Sequence, residues 1–441
     1  MQRAWGLLGL WVCVLLFALS TGRELAFNLL YFISGVILLA LAWSWANLRG
    51  LSVHRAARGQ RTQVGHYFEE SLTLSNASRW PKLWVEVLDA SDLPGHQVSR
   101  VVSSLRAHAS SRWHVRTMAR RRGRFMLGPL TLTSGDPLGL FRFSQNTDAT
   151  TALVVTPSVV DVPDFSPPTG YLAGGELMHL RTPYVTTSTA GVRDYVPGDS
   201  LNRVHWLSTA RTGRLISKEF ELDPLADVWI FLDMHDEVQV EADGGSEEGA
   251  HVRAENAWPW PGMGEFKVPL PRSTTEYAVT IAASLAQHFL RHDRSVGFLS
   301  YAGEREFLQP DRGRRQLDRL MELLAVIQAE GEIPLAQVLA SEGVRLARHS
   351  TLVVITPSID PAWVGALRGL GARGVHGIAI LLAAGTFLDH PIGDEPLDDW
   401  HPALVELQAT GLPTYPIRYG DDLAEALTQF NRPRAGRRWQ G

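Results

Sequence analysis

The stretch VWIFLD at residues 228–233 decides the fold of the C-terminal half of the chain. Its apolar part, Val228 to Leu232, has the length and composition of a buried β-strand, and Asp233 follows it directly. Apolar runs and helix-like segments alternate downstream, and a capping box, Ser273-Thr274-Thr275-Glu276, opens the first helix. The predicted strands are 296–301, 351–355, 377–382 and 414–418, and the predicted helices are 273–292, 313–329, 334–348, 363–370 and 422–430. Buried strands that alternate with helices predict an α/β domain at 226–430 with a parallel, doubly wound sheet.

Two segments of this half do not follow the alternation. Residues 237–272 form an acidic insert rich in Gly and Trp, and residues 431–441 form a basic tail. Because most connections in compact domains are short, the length of the insert predicts a lid or a mobile loop.

Short alternating strands precede this domain, and turn clusters separate them. The predicted strands are 67–74, 83–88, 98–105, 113–118, 125–133 and 152–155. Several short strands at such spacing predict a small antiparallel β-sandwich at 50–157. Residues 158–225, rich in Pro, Gly, Thr and Ser, are predicted to connect the sandwich to the α/β domain.

Two uncharged apolar runs begin the chain, from Ala4 to Ser20 and from Leu25 to Leu48. A bilayer core about 30 Å thick needs roughly 20 apolar residues in a helix. Residues 1–49 are therefore predicted to form a transmembrane hairpin with helices at about 4–20 and 25–48, which makes the lipid bilayer a partner. Trp5, Trp43 and Trp45 fall near the expected interfaces.

Arginines flank the outer ends of this hairpin, whereas Arg23 in its connection is offset by Glu24. The flanking residues are Arg3, Arg49, Arg55, Arg58 and Arg61. The positive-inside rule then predicts a multi-pass cell-membrane protein with a cytoplasmic soluble region. The alternative is a cleaved signal peptide, since Ala18-Leu19-Ser20 resembles a small-residue cleavage site. The arginines after Leu48 would keep the soluble region inside in that case too.

Composition excludes several classes of function. The chain has 42 basic and 46 acidic residues, so it lacks the basic excess of a nucleic-acid binder. Its one cysteine, Cys13, lies in an apolar run, which excludes a disulfide framework and a thiolate zinc site. The run Arg120 to Arg124 is either a phosphate-binding patch or a solvated strand end near anionic lipid, and the second reading is favoured because no aromatic platform accompanies it.

A dense polar motif ends the connector. It comprises Arg193, Asp194, Tyr195, Pro197, Gly198, Asp199, Arg203, His205, Trp206, Arg211, Lys218 and Glu219. This motif resembles the signature of the family called domain of unknown function 58. Upstream pieces agree, among them the segments 122–125, 127–129 and 136–141, and so does the two-helix start.

The resemblance implies a C-terminal domain similar to a von Willebrand factor A domain. It also implies a MoxR-type AAA ATPase as a partner, with a transglutaminase-like membrane protein as a possible second one. The fold expected is therefore α+β multidomain: a transmembrane helical hairpin, a small antiparallel β-sandwich and a doubly wound, von Willebrand factor A-like α/β domain.

The motif has two interpretations. Its alternating charges favour an ion-pair network that holds the connector on the α/β domain, with His205 and Trp206 packed beneath it. The alternative is a binding surface for a partner protein or an anionic ligand, in which arginines make forked contacts.

A metal site is only weakly indicated. Domains of the von Willebrand factor A kind hold a divalent ion with an Asp-x-Ser-x-Ser loop, whereas this chain reads Asp233-Met234-His235-Asp236-Glu237. Thr356-Pro357-Ser358 stands where the resemblance implies Thr-Asp-Gly. Asp233 and Asp236 are the candidate ligands, but two small oxygen donors are missing, so we expect neither a metal nor another cofactor.

Motifs for catalysis are missing from the sequence. It contains no nucleotide-binding P-loop, no zinc-protease helix and no nucleophile elbow. We therefore expect a membrane-anchored scaffold, not an enzyme, that works with an AAA ATPase in protein maturation or complex assembly. The alternative is an enzyme or ligand-binding module that acts on a cell-envelope or lipid-linked substrate.

Overall fold

A computed structural model of the chain describes residues 2–162, 165, 180–182, 189–196, 204–222, 227–242, 270–388 and 401–428. The described chain falls into two compact units: the first holds the residues up to Ser158 together with Met321–Val326, and the second holds the other described residues. Each unit has its own hydrophobic core.

The first unit begins with two apolar helices, α1 (Gln2–Thr21) and α2 (Glu24–Leu48). They pack against each other, and the indole Nε1 of Trp11 donates to Ser34 Oγ across the pair at 2.8 Å. By length and composition α2 could cross a membrane, whereas the apolar part of α1 is shorter.

Ten strands follow the helices. They are β1 (Leu51–Ala57), β2 (Arg61–Gln63), β3 (Tyr67–Asn76), β4 (Lys82–Asp89), β5 (Arg100–Leu105), β6 (Ser110–Met118), β7 (Gly123–Leu127), β8 (Leu130–Gly135), β9 (Arg142–Thr147) and β10 (Thr151–Thr156). They form a sheet of order β1-β3-β6, a sheet of order β5-β4-β8-β9 and a smaller sheet of order β2-β10-β7. All pairs are antiparallel except β2 with β10.

The two larger sheets share one core, as expected of a sandwich. Leu72, Leu74 and Trp113 from the first sheet pack with Val85 and Leu132 from the second. The last residue of α2, Leu48, joins the same cluster. The end of α2 is therefore part of the sandwich core.

The predicted single strand at 125–133 is wrong, because the chain breaks there at Gly128-Pro129 and continues in another sheet. Gly128 has a φ of +91°, and a β-carbon there would lie 2.4 Å from the Ala149 carbonyl oxygen. Strands β1, β2 and β9 were not predicted from the sequence. Strand β9 carries the polar sequence RFSQNT, whose first five residues are exposed, so it has no apolar alternation to detect.

The second unit has structure within residues 158–225, where only a connector was predicted. Strands β11 (Leu180–Thr182), β12 (Thr189–Asp194) and β13 (Ile216–Leu222) form a sheet of order β11-β13-β12, and helix α3 (Trp206–Thr212) precedes β13. Both strand pairs are antiparallel.

A six-stranded sheet organises the rest of this unit. Its strands are β14 (Val228–Leu232), β15 (Val296–Ala302), β16 (Glu304–Asp311), β17 (Thr351–Thr356), β18 (His376–Leu382) and β19 (Thr414–Ile417), in the order β16-β15-β14-β17-β18-β19. The interior position of Val228–Leu232 is confirmed, since it pairs in parallel with a strand on each side. The sheet is not wholly parallel, because the unpredicted edge strand β16 runs antiparallel to β15.

Helices cover both faces of this sheet. They are α4 (Thr274–Arg291), α5 (Gly313–Val326), α6 (Leu335–Glu342), α7 (Ala362–Ala372), α8 (His401–Ala409) and α9 (Leu423–Thr428). Phe231 packs in a cluster with Leu339 and Trp363 on one face. Its neighbours Ile230 and Leu232 are buried on the other face, where α4 packs.

Two helix predictions need correction, and one helix was missed. The segment 334–348 ends its α-helix at Glu342 and continues as a 3₁₀ turn, Gly343–Arg345, and the helix predicted at 313–329 ends at Val326. Helix α8 was not predicted. The capping box is observed in part: Ser273 caps α4, and its hydroxyl accepts from the Glu276 amide.

Candidate functional site

Polar residues lie side by side where the central strands β14 and β17 of the six-stranded sheet reach their carboxyl ends. Asp233 follows β14, and Thr356 ends β17. The Thr356 hydroxyl donates to Asp233 Oδ2 at 2.6 Å, and the His235 amide donates to Oδ1 at 3.1 Å. Ligand sites of open α/β sheets lie at such carboxyl ends, which makes this position the first candidate site.

Hydrogen bonds hold the loop after Asp233 in place. The Gln239 side-chain amide donates to the Asp233 carbonyl at 2.7 Å and accepts from the Thr274 hydroxyl at 2.7 Å. Gly331, outside the loop, accepts from the Asp236 amide and donates to the Met234 carbonyl, both at 2.9 Å. A β-carbon on Gly331 would lie 2.1 Å from the Tyr301 carbonyl oxygen, so only glycine fits there. Neither Gln239 nor Gly331 was predicted from the sequence to support this site.

Burial controls the charge of Asp233. Asp233 is 4% exposed, and its burial removes water from the carboxyl. This desolvation raises the pKa of the carboxyl above the usual value. The hydrogen bonds from Thr356 and His235 oppose that shift but do not cancel it.

The donor set does not fit a bound divalent ion. Both oxygens of Asp233 already accept hydrogen bonds, whereas Asp236 is exposed and accepts from the Glu237 amide. The ring of His235 lies beside Glu237, with 3.9 Å between Nε2 and Oε2. Among the described residues, no group of three or more His, Cys, Asp or Glu side chains could hold a metal. We derive no chemistry from a metal here.

The polar motif of the connector lies on β12, α3 and β13. The strand pairing places Arg193 opposite Ser217, and Val192 opposite Lys218. The Tyr195 amide donates to the Leu215 carbonyl at 2.9 Å, and the His205 amide donates to the Ile216 carbonyl at 2.7 Å. Pro197, Gly198, Asp199 and Arg203 lie outside the described residues, as do the side chains of Arg193, Lys218 and Glu219.

Helix α3 contradicts the packed arrangement predicted for the motif. His205 caps the helix through its ring Nδ1, which accepts from the Ser208 amide at 3.1 Å. Trp206 is 65% exposed, not buried, and Arg211 is also exposed. The helix is two turns long and contains no buried residue, so Trp206 is not packed beneath the motif.

Exposed apolar side chains gather around this helix. Trp206 and Leu207 are each 65% exposed, and Val196 and Leu215 are 55% and 43% exposed. The backbone hydrogen bonds from Tyr195 and His205 bring these residues to neighbouring positions. We call these four residues the α3 patch. Large apolar side chains that gather at a surface mark an interaction site.

Residues 191–247 match the model of a family described as "Protein of unknown function DUF58". The predicted resemblance to this family is confirmed for these residues. The DUF58 segment includes the α3 patch and runs on through β14 to Asp233 and His235. The α3 patch and Asp233 thus lie in the matched part of the chain, whereas Thr356 and Gly331 lie outside it.

Comparisons with other proteins add no functional assignment. A search of the curated proteins finds no match. Among solved structures, the CARDB domain of a Pyrococcus furiosus protein is 14% identical, covering 24% of this chain and 94% of that one, with a TM-score of 0.19. Proximal thread matrix protein 1 from the mussel byssus is 10% identical, covering 46% of each chain, with a TM-score of 0.28. An ASH/PapD-like domain of human CEP192 is 12% identical, covering 25% of this chain and 87% of that one, with a TM-score of 0.17. Such scores carry no argument about this chain.

The raised pKa of Asp233 predicts that Asp233→Asn stabilises the protein at neutral pH, because the substitution removes a carboxyl whose charged form is disfavoured by burial. A carboxyl whose pKa is higher in the folded state loses stability as pH rises from its unfolded pKa through its folded pKa. The stabilising effect should therefore be largest at neutral pH and disappear in acid. Thermal unfolding of the full chain across pH measures it.

Asp236→Asn is the matched control, because Asp236 is exposed and we expect a change within about 0.5 kcal/mol. A stabilisation by Asp233→Asn that persists unchanged in acid would contradict the assignment. A magnesium-dependent rise in the melting temperature that Asp233→Asn abolishes would contradict the donor-set argument.

Proposed function

We propose that this chain is a membrane-tethered adaptor that binds a MoxR-type AAA ATPase at the cytoplasmic side of the cell membrane. The observation that carries the proposal is the α3 patch on the DUF58 segment. The kind of partner comes from the family resemblance, which also suggests a transglutaminase-like membrane protein as a second one.

The anchor in this proposal is the helix pair α1 and α2. Helix α2 is long and apolar enough to span a bilayer, and α1, which packs against it, supplies a shorter second span. Arginines at the outer ends support a cytoplasmic soluble region. The cytoplasmic location can be tested with a reporter enzyme that is active only outside the cytoplasm, fused after Gly441. Activity of that reporter would contradict the proposed location.

The domain attached to the DUF58 segment supports a von Willebrand factor A-like assignment. Numbered along the domain, its strands have the order 3-2-1-4-5-6, with the antiparallel strand at one edge. Asp233 lies at the carboxyl end of the first of these strands, in the interior of the sheet.

The α3 patch has the chemistry of a protein-docking surface. A tryptophan beside a leucine offers the large apolar area found at interaction hot spots. Arg211 and Arg214 are exposed on the same short segment, so a complementary partner surface is acidic around an apolar pocket. We infer that the partner ATPase buries Trp206 in such a pocket.

The test is binding of the purified ATPase to the full chain in lipid nanodiscs, with and without ATP. Trp206→Ala should weaken binding by about 2 kcal/mol, or roughly thirtyfold, as expected for a buried aromatic anchor. Arg211→Ala should lower the association rate and the salt dependence with little change in melting temperature, since Arg211 is exposed.

Val344→Ala is the matched control, because Val344 is 60% exposed and lies outside the DUF58 segment. It should leave binding unchanged. The proposal would be contradicted if Trp206→Ala and Val344→Ala reduced the binding affinity equally. It would also be contradicted if the unaltered chain did not bind the ATPase either with or without ATP.

A further inference from the structure

The end of helix α2 is fixed to the sandwich by buried polar groups. Asn47 is 4% exposed; its side-chain oxygen accepts from the Leu83 amide at 3.0 Å, and its Nδ2 donates to the Leu83 carbonyl and to Ser134 Oγ, each at 2.5 Å. The Ser44 hydroxyl donates to the Phe141 carbonyl at 3.3 Å. Lys82, itself 2% exposed, donates to the Ala46 carbonyl. The helix and the sandwich therefore move as one piece at this joint.

This joint fixes how deep one end of the sandwich lies. An uncharged helix crosses a bilayer core of about 30 Å in roughly 20 residues. Counted from Leu25, the first residue of the uncharged run, that length brings α2 to Ser44, where the contacts with the sandwich begin. The four residues that remain span about 6 Å, which is the depth of the headgroup layer. The sheet end that receives Asn47 thus lies among the headgroups.

The loops at this end carry cations without matching anions. They contain Arg49, Arg79, Arg106 and Arg142, all exposed. Among the described residues, none of these four guanidinium groups is paired with a carboxylate. The acidic side chain there, Asp136, is buried, and its oxygens accept from the amides of Leu138 and Phe141.

Exposed apolar side chains accompany these arginines. Trp80, Trp84 and Leu138 are 74%, 68% and 58% exposed, and Phe143 is 38% exposed. Trp84 has a φ of 54°, a left-handed conformation that bulky residues rarely adopt. The neighbours that hold it there are Leu83, bound by Asn47, and Ser134, whose hydroxyl donates to the Trp84 carbonyl at 3.1 Å. Strained residues of this kind cluster at functional sites.

We infer that this end of the sandwich is a lipid-binding collar that seats on an anionic membrane surface. The inference rests on the membrane anchoring in the proposed function, and it adds a second, sequence-distant contact with the bilayer. Amphipathic tryptophans at the interface and arginines on anionic headgroups are the chemistry that such a surface recognises. Together with the fixed end of α2, the collar would hold the sandwich in one orientation on the bilayer.

The arginine run Arg120 to Arg124 is not part of this collar. It follows the far end of β6, whereas the near end of that strand, Ser110, pairs beside the joint through Ser75. Nine residues of strand separate the two ends by about 27 Å. If α2 spans the bilayer, we expect this run to be a solvated strand end away from the headgroups.

The test uses the full chain with Cys13→Ser, which removes its one cysteine, in nanodiscs of phosphatidylcholine with a minority of phosphatidylglycerol. Spin labels are placed through Leu138→Cys in the collar, Met126→Cys at the far end and Leu39→Cys on α2. The collision rate of each spin label with oxygen measures its exposure to lipid, and the collision rate with a nickel chelate measures its exposure to water. We expect the Leu39 label in lipid, the Met126 label in water and the Leu138 label at headgroup depth.

The outcomes separate two failures. If the Leu39 label lies in lipid but the Leu138 label matches the Met126 label, the collar is overturned and the anchor stands. If the Leu39 label lies in water, the anchor of the proposed function fails and the collar fails with it.

A second measurement tests the arginines. We expect Arg79→Gln with Arg142→Gln to reduce the enrichment of phosphatidylglycerol among lipids that co-purify with the chain, by about fivefold per arginine at most. The matched pair Arg121→Gln with Arg124→Gln removes the same charge at the far end and should leave the enrichment unchanged. Equal losses in the two pairs would overturn the assignment of the collar.

Discussion

Arg55→Met is expected to lower the free energy of unfolding of the sandwich by about 3–5 kcal/mol. The guanidinium Nη2 lies 2.6 Å from Asp89 Oδ1, and Nε lies 3.2 Å from Glu70 Oε2. All three side chains are at most 2% exposed. Removing the cation leaves two carboxylates buried between the sheets, and that cost exceeds what any apolar contact of methionine returns.

His96 and Ser91 remain beside the two stranded carboxylates. The His96 Nε2 lies 3.1 Å from Glu70 Oε1, and the Ser91 hydroxyl donates to Asp89 Oδ2 at 2.6 Å. Both contacts already exist in the unaltered chain, so they offer the stranded carboxylates nothing new. The variant should therefore open the sandwich locally before the rest of the protein unfolds.

The measurement is thermal unfolding of the solubilised full chain, with hydrogen exchange of Tyr67–Asn76 as the local readout. Arg58→Met is the matched control, since Arg58 pairs with Glu69 at 2.9 Å but is 84% exposed, and we expect a loss below about 1 kcal/mol. Equal and small effects of both variants would show that the buried cluster does not stabilise the sandwich.

The buried cluster shows where sequence reasoning stops. Strands such as Val228–Leu232 can be identified from the sequence, because a run of consecutive apolar residues indicates a buried strand. The cluster joins three strands, which contribute Arg55, Glu70 and Asp89. The sequence around each of these residues does not predict that the three side chains form ion pairs. The edge strand Glu304–Asp311 was missed for a related reason: its charged and half-exposed residues resemble a loop.

The candidate site divides in the same way. The sequence places Asp233 and Thr356 after two buried strands, and parallel pairing then brings them together. The exposure of Trp206 did not follow from the sequence, because a tryptophan next to a histidine in a charged motif is usually packed. Helix α3 is too short to have a buried face, and the Trp206 side chain is therefore exposed.

The glycine that supports the Asp233 loop should be the most sensitive position of the α/β domain. In Gly331→Ala the new methyl group would lie 2.1 Å from the Tyr301 carbonyl oxygen and 2.8 Å from the Met234 carbonyl oxygen. Both obstacles are backbone, so neither can rotate away, and the loop or strand β15 must shift. We expect a loss of about 3 kcal/mol in stability.

The shift should also reach the candidate site, because Gly331 holds the loop through its hydrogen bonds with Met234 and Asp236. Displacement of Met234 moves the residue next to Asp233, so the hydrogen bond from Thr356 to Asp233 should lengthen. Hydrogen exchange should then rise at the amides of His235 and Asp236 beyond the global change. Gly365→Ala is the matched control: a β-carbon there meets nothing within 4 Å, and helix α7 should gain up to about 1 kcal/mol. A Gly331→Ala protein as stable as the Gly365→Ala protein would show that the loop is not fixed by this contact.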